Sequence, residues 1–164
     1  PTDLNLLIKE YVNLAFHGMR AGKHPININI KLDLDENLGL IPVIREDFSR
    51  VILNLCNNAF DAVREKLQSS RFSPELVVRS FRKDNTVELI IEDNGPGIPE
   101  EIRDKILQPF FTTKKGTEGT GLGLSITNDI MKAHGGTMDV ETSPGEGTTF
   151  ILQLLVENPV KSPV

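Results

Sequence analysis

This sequence of 164 residues has a single cysteine, no long apolar run and no excess of basic residues, and each shortage excludes a class of protein. The single cysteine, Cys56, has no partner for an internal disulfide, so we expect a reducing, cytoplasmic setting. No apolar run approaches the roughly 20 residues of a membrane-spanning helix, so we expect no direct membrane contact from this domain, although a longer parent protein can be membrane-anchored. The formal net charge of −5 argues against nucleic-acid binding, which needs a basic face.

The ends of the chain favour a fragment of a longer protein. The sequence opens on Pro1 rather than methionine and shows no signal-peptide pattern. The length suits one hydrophobic core, and we expect a single catalytic domain over residues 1–156. Residues 157–164, with two prolines, are expected to form a flexible tail or linker.

Hydrophobic periodicity predicts an α+β fold. Helical spacing predicts three helices, over Leu4–Arg20, Glu46–Leu67 and Leu122–Ala133. Alternating or uniformly apolar segments predict strands at 26–32, 40–43, 76–82, 86–92, 137–142 and 148–156. This order predicts a two-layer sandwich in which a mixed, mainly antiparallel sheet is covered on one face by about three helices.

A polar stripe follows the longest predicted helix, opposite its apolar arc. A solvated helix face is the ordinary interpretation of such a stripe. Three asparagines in mid-helix are less ordinary, because the Asn amide competes for backbone hydrogen bonds. Asn54 and Asn58 lie one turn apart and can present two neutral carbonyl oxygens to Mg²⁺.

Two glycine-containing segments are candidate ligand loops. The first, Asp93-Asn94-Gly95-Pro96-Gly97-Ile98-Pro99, follows an apolar strand and offers an acceptor carboxylate and close backbone approach, although an ordinary turn remains an alternative. The second has Gly119, Gly121 and Gly123 leading into a helix, an arrangement that suits phosphate. No strand precedes those glycines and no glycine-lysine-serine or glycine-lysine-threonine triplet occurs, which excludes the Rossmann and P-loop interpretations.

Together these segments resemble, in order, the boxes of one ATPase superfamily with the Bergerat-type ATP-binding fold. It holds DNA gyrase, the large heat-shock chaperone ATPase, the mismatch-repair MutL protein and the sensor histidine kinases, and the resemblance is to the kinase branch. The resemblance covers about residues 46–154. Its motifs are Asn54-Leu55-Cys56-Asn57-Asn58-Ala59, Asp93-Asn94-Gly95-Pro96-Gly97, Pro109-Phe110-Phe111-Thr112-Thr113-Lys114, Gly119-Thr120-Gly121-Leu122-Gly123-Leu124 and Gly145-Glu146-Gly147-Thr148.

The resemblance implies a role for each matching residue. Asp93 would accept from the adenine amine, and Asn58, with Asn54 nearby, would ligate Mg²⁺. Residues expected to contact the ATP are Gly95, Gly97, Ile98 and Thr148 at the base, and Lys114, Lys115, Gly119, Thr120, Gly121, Leu122 and Gly123 at the phosphates. The implied reaction donates the γ-phosphate to a histidine on a separate dimerisation domain of the same protein, which then passes it to a response regulator in two-component signalling.

Two departures from the family pattern matter. Asp61 stands three residues after Asn58, where many members have a basic or aromatic residue, so a phosphate contact from that position is in doubt. The motif of the phosphorylated histidine is also absent, because His17, His24 and His134 lack its acidic neighbour. We interpret all three as structural or surface residues, and place the acceptor histidine and its base outside this chain.

Three alternative functions remain. A conformational ATPase of the gyrase or chaperone type would carry a glutamate base where this chain has Asn54. A non-catalytic nucleotide-binding module would not need the intact glycine boxes. A protein-serine kinase of the same fold would lack a histidine domain upstream.

Residues 112–120 are predicted to form a lid that orders only over bound phosphates. Glycines loosen the backbone and almost nothing apolar lies between Phe111 and Leu122, so the segment lacks the buried surface to offset its ordering entropy. Hydrogen exchange with and without Mg-ATP tests this, and the expected result is protection of these amides only with nucleotide. Protection already present without nucleotide would mean a fixed loop.

Overall fold

The computed structural model describes residues 1–106, 108 and 123–156 of the chain. Within these residues, helices α1 to α4 span Leu4–Arg20, Arg45–Leu67, Glu100–Arg103 and Gly123–Ala133. Strands β1 to β7 span Thr2–Asp3, Asn29–Leu34, Leu40–Ile41, Glu75–Lys83, Thr86–Asp93, Thr137–Ser143 and Gly147–Leu155.

Five of these strands form one sheet in the order β2-β4-β5-β7-β6, while β1 pairs with β3. β2 runs parallel to β4, whereas the β4–β5, β5–β7 and β6–β7 pairs are antiparallel. The β4–β5 hairpin turns through Asp84, whose φ of 54° is a conformation that Asp adopts more readily than most residues. The mixed, mainly antiparallel sheet predicted from the sequence is confirmed.

The inner face of the sheet is apolar and the helices pack on it. Along β5, buried residues alternate with half-buried ones, which is the period of a strand with one covered face. α2 lies between α1 and α4 and contacts β4 and β5. Its buried apolar side chains are Phe48, Val51, Ile52, Leu55, Cys56, Ala59, Phe60 and Val63. The two-layer sandwich is therefore confirmed, and burial raises the pKa of the Cys56 thiol to about 12, which suits a packing residue.

Elements β2 and α3 differ from the sequence-based expectation. β2 begins at Asn29 rather than Ile26, because the strand pairing starts where Asn29 donates to the Pro74 carbonyl. Leu32 stays 39% exposed, since β2 is the edge strand and a groove separates it from α1. Helix α3 was not predicted, although Pro99 followed by two glutamates is a typical helix start.

His134 connects the end of α4 to the beginning of α2. Its Nε2 atom accepts from the Ile44 backbone N–H at 3.1 Å, and its Nδ1 atom lies 2.8 Å from the Ile130 carbonyl oxygen. A neutral ring with the proton on Nδ1 satisfies both contacts. The ring also meets Phe48 edge to face at 5.0 Å. This confirms a structural role for His134.

We expect His134→Ala to lower the free energy of unfolding by about 1–2 kcal/mol, because it removes two hydrogen bonds and an aromatic contact. Urea unfolding measures the change. His17→Ala is the matched control, since His17 is exposed and its ring meets the Phe16 ring edge to face, and its expected effect is below about 0.5 kcal/mol. Equal effects of the two variants would contradict a linking role for His134.

Candidate functional site

Three parts of the fold meet at one end of the sheet. β5 ends at Asp93, which pairs across the sheet with Thr148 at the start of β7. The loop after Asp93 crosses α2, and its backbone meets the β6–β7 turn where Gly145 N donates to the Pro96 carbonyl at 2.7 Å. The site is thus assembled from residues far apart in sequence.

Asp93 is a buried carboxylate. It is 6% exposed, and its Oδ1 atom accepts from the Gly95 backbone N–H at 2.9 Å. Burial raises the pKa of Asp93 to about 6, and the Glu92 charge adds to this, whereas backbone donors from Gly95 and Thr148 and the Lys66 charge oppose it. The carboxylate is therefore ionised at neutral pH and can accept a hydrogen bond from a ligand.

Two glycines bring the loop backbone close to its neighbours. A Cβ at Gly95 would lie 3.0 Å from the Ala62 Cβ of α2. Gly97 adopts a φ of +78°, and a Cβ there would lie 2.5 Å from the Ser143 carbonyl oxygen. Side chains at either position would push the loop away from the helix and the turn.

Hydroxyl groups of β6 and β7 line another part of the site. The Thr142 and Thr148 hydroxyl oxygens lie 3.0 Å apart, and Thr142 Oγ1 accepts from the Ile98 N–H at 2.8 Å. Thr148 is 6% exposed. The structure therefore brings Asp93, Thr148 and Ile98 together, as the sequence implied, and adds Thr142, which the sequence-based interpretation missed.

The side of α2 that faces the site carries one residue every four positions, and these residues form a row: Asn54, Asn58, Ala62 and Lys66. Asn54 Nδ2 donates weakly to the Gly123 carbonyl at 3.5 Å, at the opening of α4. The Asn58 side chain follows, half-buried and without a hydrogen bond to the part of the chain that the structure describes. Ala62 then meets the Gly95 loop. Asn54 and Asn58 thus occupy the end of the row near α4, and Asp93 lies at the other.

Lys66 ends this row and was not recognised from the sequence. Its ammonium donates to the carbonyl oxygens of Asn94 and Gly145, each at 3.0 Å, and lies 4.4 Å from the centre of the Phe72 ring. The only signal in the sequence was its spacing, eight residues after Asn58.

The described structure does not bring the remaining predicted residues into the site. Lys114, Lys115, Gly119, Thr120, Gly121 and Leu122, and the predicted lid with them, fall outside the described residues. Asp61 forms an ion pair with Arg64 at 2.7 Å, and Arg64 also donates to the His24 carbonyl. Asp61 thus has a cationic neighbour on its own helix.

The chemistry of the site suits a flat heterocycle with an amino group. An ionised, buried acceptor, two close-lying glycine backbones and paired hydroxyls converge at one end, and amide oxygens lie at the other. Neutral amide oxygens are typical ligands of hard cations. Fold and site together define a nucleotide-binding domain.

Comparison with known proteins gives the family. The sequence profile of the histidine kinase-, DNA gyrase B- and HSP90-like ATPases matches residues 44–158. The chain belongs to this ATPase family. The nucleotide-free catalytic domain of histidine kinase ThkA is similar over 94% of this chain and 95% of that one, with 32% identity and a TM-score of 0.76. This likeness extends to nearly the whole chain and indicates the histidine-kinase branch.

Curated relatives are longer proteins. The sensor histidine kinase ZraS of Escherichia coli K12 is 32% identical over 161 residues, covering 98% of this chain and 32% of that protein. The sensor protein FixL of Bradyrhizobium diazoefficiens is 36% identical over 149 residues, covering 90% of this chain and 27% of FixL. The chain spans about a third or less of these relatives.

We expect Asp93→Asn to stabilise the nucleotide-free protein at neutral pH. The pKa of Asp93 rises from 3.8 to about 6 on folding, so the stability gained by protonating this group is fully present below about pH 4 and is lost as the pH rises through about 6. About two pKa units correspond to at most about 3 kcal/mol. A gain of about 1–3 kcal/mol is therefore expected at pH 7.5, shrinking towards pH 4.5.

Urea unfolding at both pH values measures the difference between variant and wild type. Asp139→Asn, an exposed carboxylate on β6, is the matched control for the change in net charge. A variant destabilised equally at both pH values would show that Asp93 carries no ionisation cost.

Proposed function

We propose that this domain binds Mg-ATP and donates the γ-phosphate to a histidine on a separate dimerisation domain of the same protein, in two-component signalling. The observation that carries the proposal is the buried, ionised Asp93 at the end of β5, facing the Gly95 loop and Thr148. Membership of the ATPase family and likeness to histidine kinase catalytic domains support it.

The base end of the site selects adenine. Asp93 accepts from the exocyclic amine, Gly95 and Gly97 let the ring lie against the backbone, and Ile98 and Thr148 complete the pocket. Guanine presents a carbonyl oxygen where adenine presents this amine, so an acceptor carboxylate disfavours it.

The other end holds the metal and the phosphates. Asn58 and Asn54 fit Mg²⁺, because neutral amide oxygens suit a hard cation that keeps most of its waters, and the Asn58 amide has no hydrogen-bond partner among the described residues. Bound Mg²⁺ would offset phosphate charge. Lys114, Lys115 and the amides of Gly119 to Gly123 would bind the phosphates, as the sequence indicates.

Transfer to a delivered nucleophile fits this site better than hydrolysis. Asn54 stands one turn before Asn58, where conformational ATPases of the superfamily carry a glutamate base. An amide cannot take a proton from water, so the geometry offers no general base at this position. The histidine kinase function is therefore favoured over the gyrase-like and non-catalytic alternatives.

We further propose the place of the domain in its parent protein. Residues 1–156 form the catalytic domain and residues 157–164 a linker, a histidine-containing domain of the same protein supplies the acceptor, and a response regulator receives the phosphate. Among the described helices, none has the length and apolar character to cross a bilayer. We propose that the domain works in the cytoplasm.

The reaction is tested with γ-labelled ATP and the separately expressed histidine domain of the parent protein. We expect acid-labile label on the histidine domain only when both proteins and Mg²⁺ are present, and none on this chain alone. Asn58→Ala should reduce transfer at least about tenfold, because it removes the amide proposed to hold Mg²⁺. Label on this chain, lost on replacing His17, would contradict the proposal.

Base recognition is tested by Asp93→Asn. The change places an amide donor against the adenine amine, and we expect a loss of ATP affinity of about tenfold to a hundredfold. Titration calorimetry with ATP and GTP measures it, with Asp139→Asn as the control. Unchanged ATP affinity in folded Asp93→Asn would remove Asp93 from the adenine site.

A further inference from the structure

Lys66 lies where α2, the Asp93 loop and the β6–β7 turn come together. Its ammonium donates to the Asn94 carbonyl, one residue after Asp93, and to the Gly145 carbonyl, three residues before Thr148. Both distances are 3.0 Å. One side chain is therefore bonded to the two backbone segments that carry the base-recognition groups.

The ammonium is held by dipoles rather than by a counter-ion. No carboxylate lies within salt-bridge distance of Lys66 in the described part of the chain. Two carbonyl oxygens and the face of Phe72 stabilise its charge instead. Lys66 is half-buried; its hydrogen bond to Asn94 is partly buried, whereas its hydrogen bond to Gly145 is exposed.

We propose that Lys66 is a positioning residue of the nucleotide site, which holds the Asp93 loop and the β6–β7 turn at the separation that the base requires. This inference rests on the proposed function. It is independent of the metal end, because Lys66 follows Asn58 by eight residues, or about 12 Å along the helix axis.

Other hydrogen bonds also hold the Asp93 loop and the β6–β7 turn, and Lys66 acts together with them. The loop and the turn touch directly through Gly145 N and the Pro96 carbonyl. On its other side the loop is fixed by the Asn94 side chain, which accepts from Glu75 N and donates to the Ser73 carbonyl, each at 2.8 Å. Lys66 bonds the loop and the turn from α2, whereas the Thr142 hydroxyl, at the end of β6, joins Ile98 of the loop to the Gly147 carbonyl.

The Lys66 charge also acts on Asp93. Two charged side chains perturb this carboxylate, Glu92 on β5 and Lys66 on α2, and Lys66 lowers the pKa of Asp93. Removing the charge should therefore raise that pKa further. The carboxylate form is the one that accepts from the adenine amine. As the pH falls, the variant without this charge should therefore lose base binding at a higher pH than the wild type.

Two substitutions test the contribution of the Lys66 ammonium. Lys66→Met keeps the length and apolar stem but removes the donors and the charge, whereas Lys66→Arg keeps both. Lys31→Met, on the exposed side of β2, is the matched control for the loss of a lysine. Lys66→Leu, which also removes the donors and the charge, takes the place of the methionine variant if that variant does not fold by circular dichroism.

The experiment measures the affinity of the folded domain for adenosine and for Mg-ADP, by NMR shift titration and calorimetry. We expect Lys66→Met to weaken both by a similar factor of about tenfold, Lys66→Arg by less than about threefold, and Lys31→Met not at all. Adenosine affinity is also followed from pH 5 to 8.5, because adenosine has no phosphate to titrate. The midpoint of its decline should move to higher pH in Lys66→Met and stay in place in Lys66→Arg.

The outcomes separate this inference from the proposed function. If the wild-type domain binds neither adenosine nor Mg-ADP, the proposed function fails. If wild type binds both and Lys66→Met binds them equally well, the positioning role alone is overturned. A loss confined to Mg-ADP, with adenosine unaffected, would also overturn it, because Lys66 would then act at the phosphates.

Discussion

The packing of α2 against the inner face of the sheet determines where every group of the site can lie. Its buried arc contacts β4 and β5 and receives α1 on one side and α4 on the other. The rotation of the helix is fixed by this burial, which at about 25 cal/mol per Å² of apolar area outweighs any preference of its polar residues. The row of α2 residues from Asn54 to Lys66 then faces the gap between the Gly95 loop and the opening of α4. Substrate contacts follow from apolar packing.

Asp93 lowers the stability of the free domain, and the same carboxylate serves in ligand recognition. Asp93 occupies an inner-face position of β5 that an apolar residue fills elsewhere along the strand, between Leu76 and Thr148 on the flanking strands. Desolvation opposes its ionised form, and backbone donors with the nearby Lys66 charge offset only part of the cost. A ligand amine can offset more of it, so the cost in the free domain becomes selectivity in the complex.

Much of the fold could be predicted because its signals are local. Apolar spacing located α1 and α2 to within a residue, and the hairpin between β4 and β5 followed from Asp84 and Asn85 between two apolar runs. Prediction was weaker where an element depends on its neighbours. Leu14 is an apolar residue of α1 that stays 55% exposed, because it lies outside the arc of the helix that packs against α2.

The candidate site likewise has features that could be predicted from the sequence and features that could not. The sequence by itself determined the residue types, since an acid at a strand end, glycines beside a proline and asparagines one turn apart are patterns of neighbours along the chain. Only the tertiary structure decided that Thr142 lies against Thr148 and Ile98, and that Lys66 joins Asn94 to Gly145 across 28 and 79 positions of sequence. The physical reason is that a hydrogen bond between distant segments leaves no periodic trace in sequence. The donor and acceptor of such a hydrogen bond are determined by the packing that brings them within about 3 Å of each other.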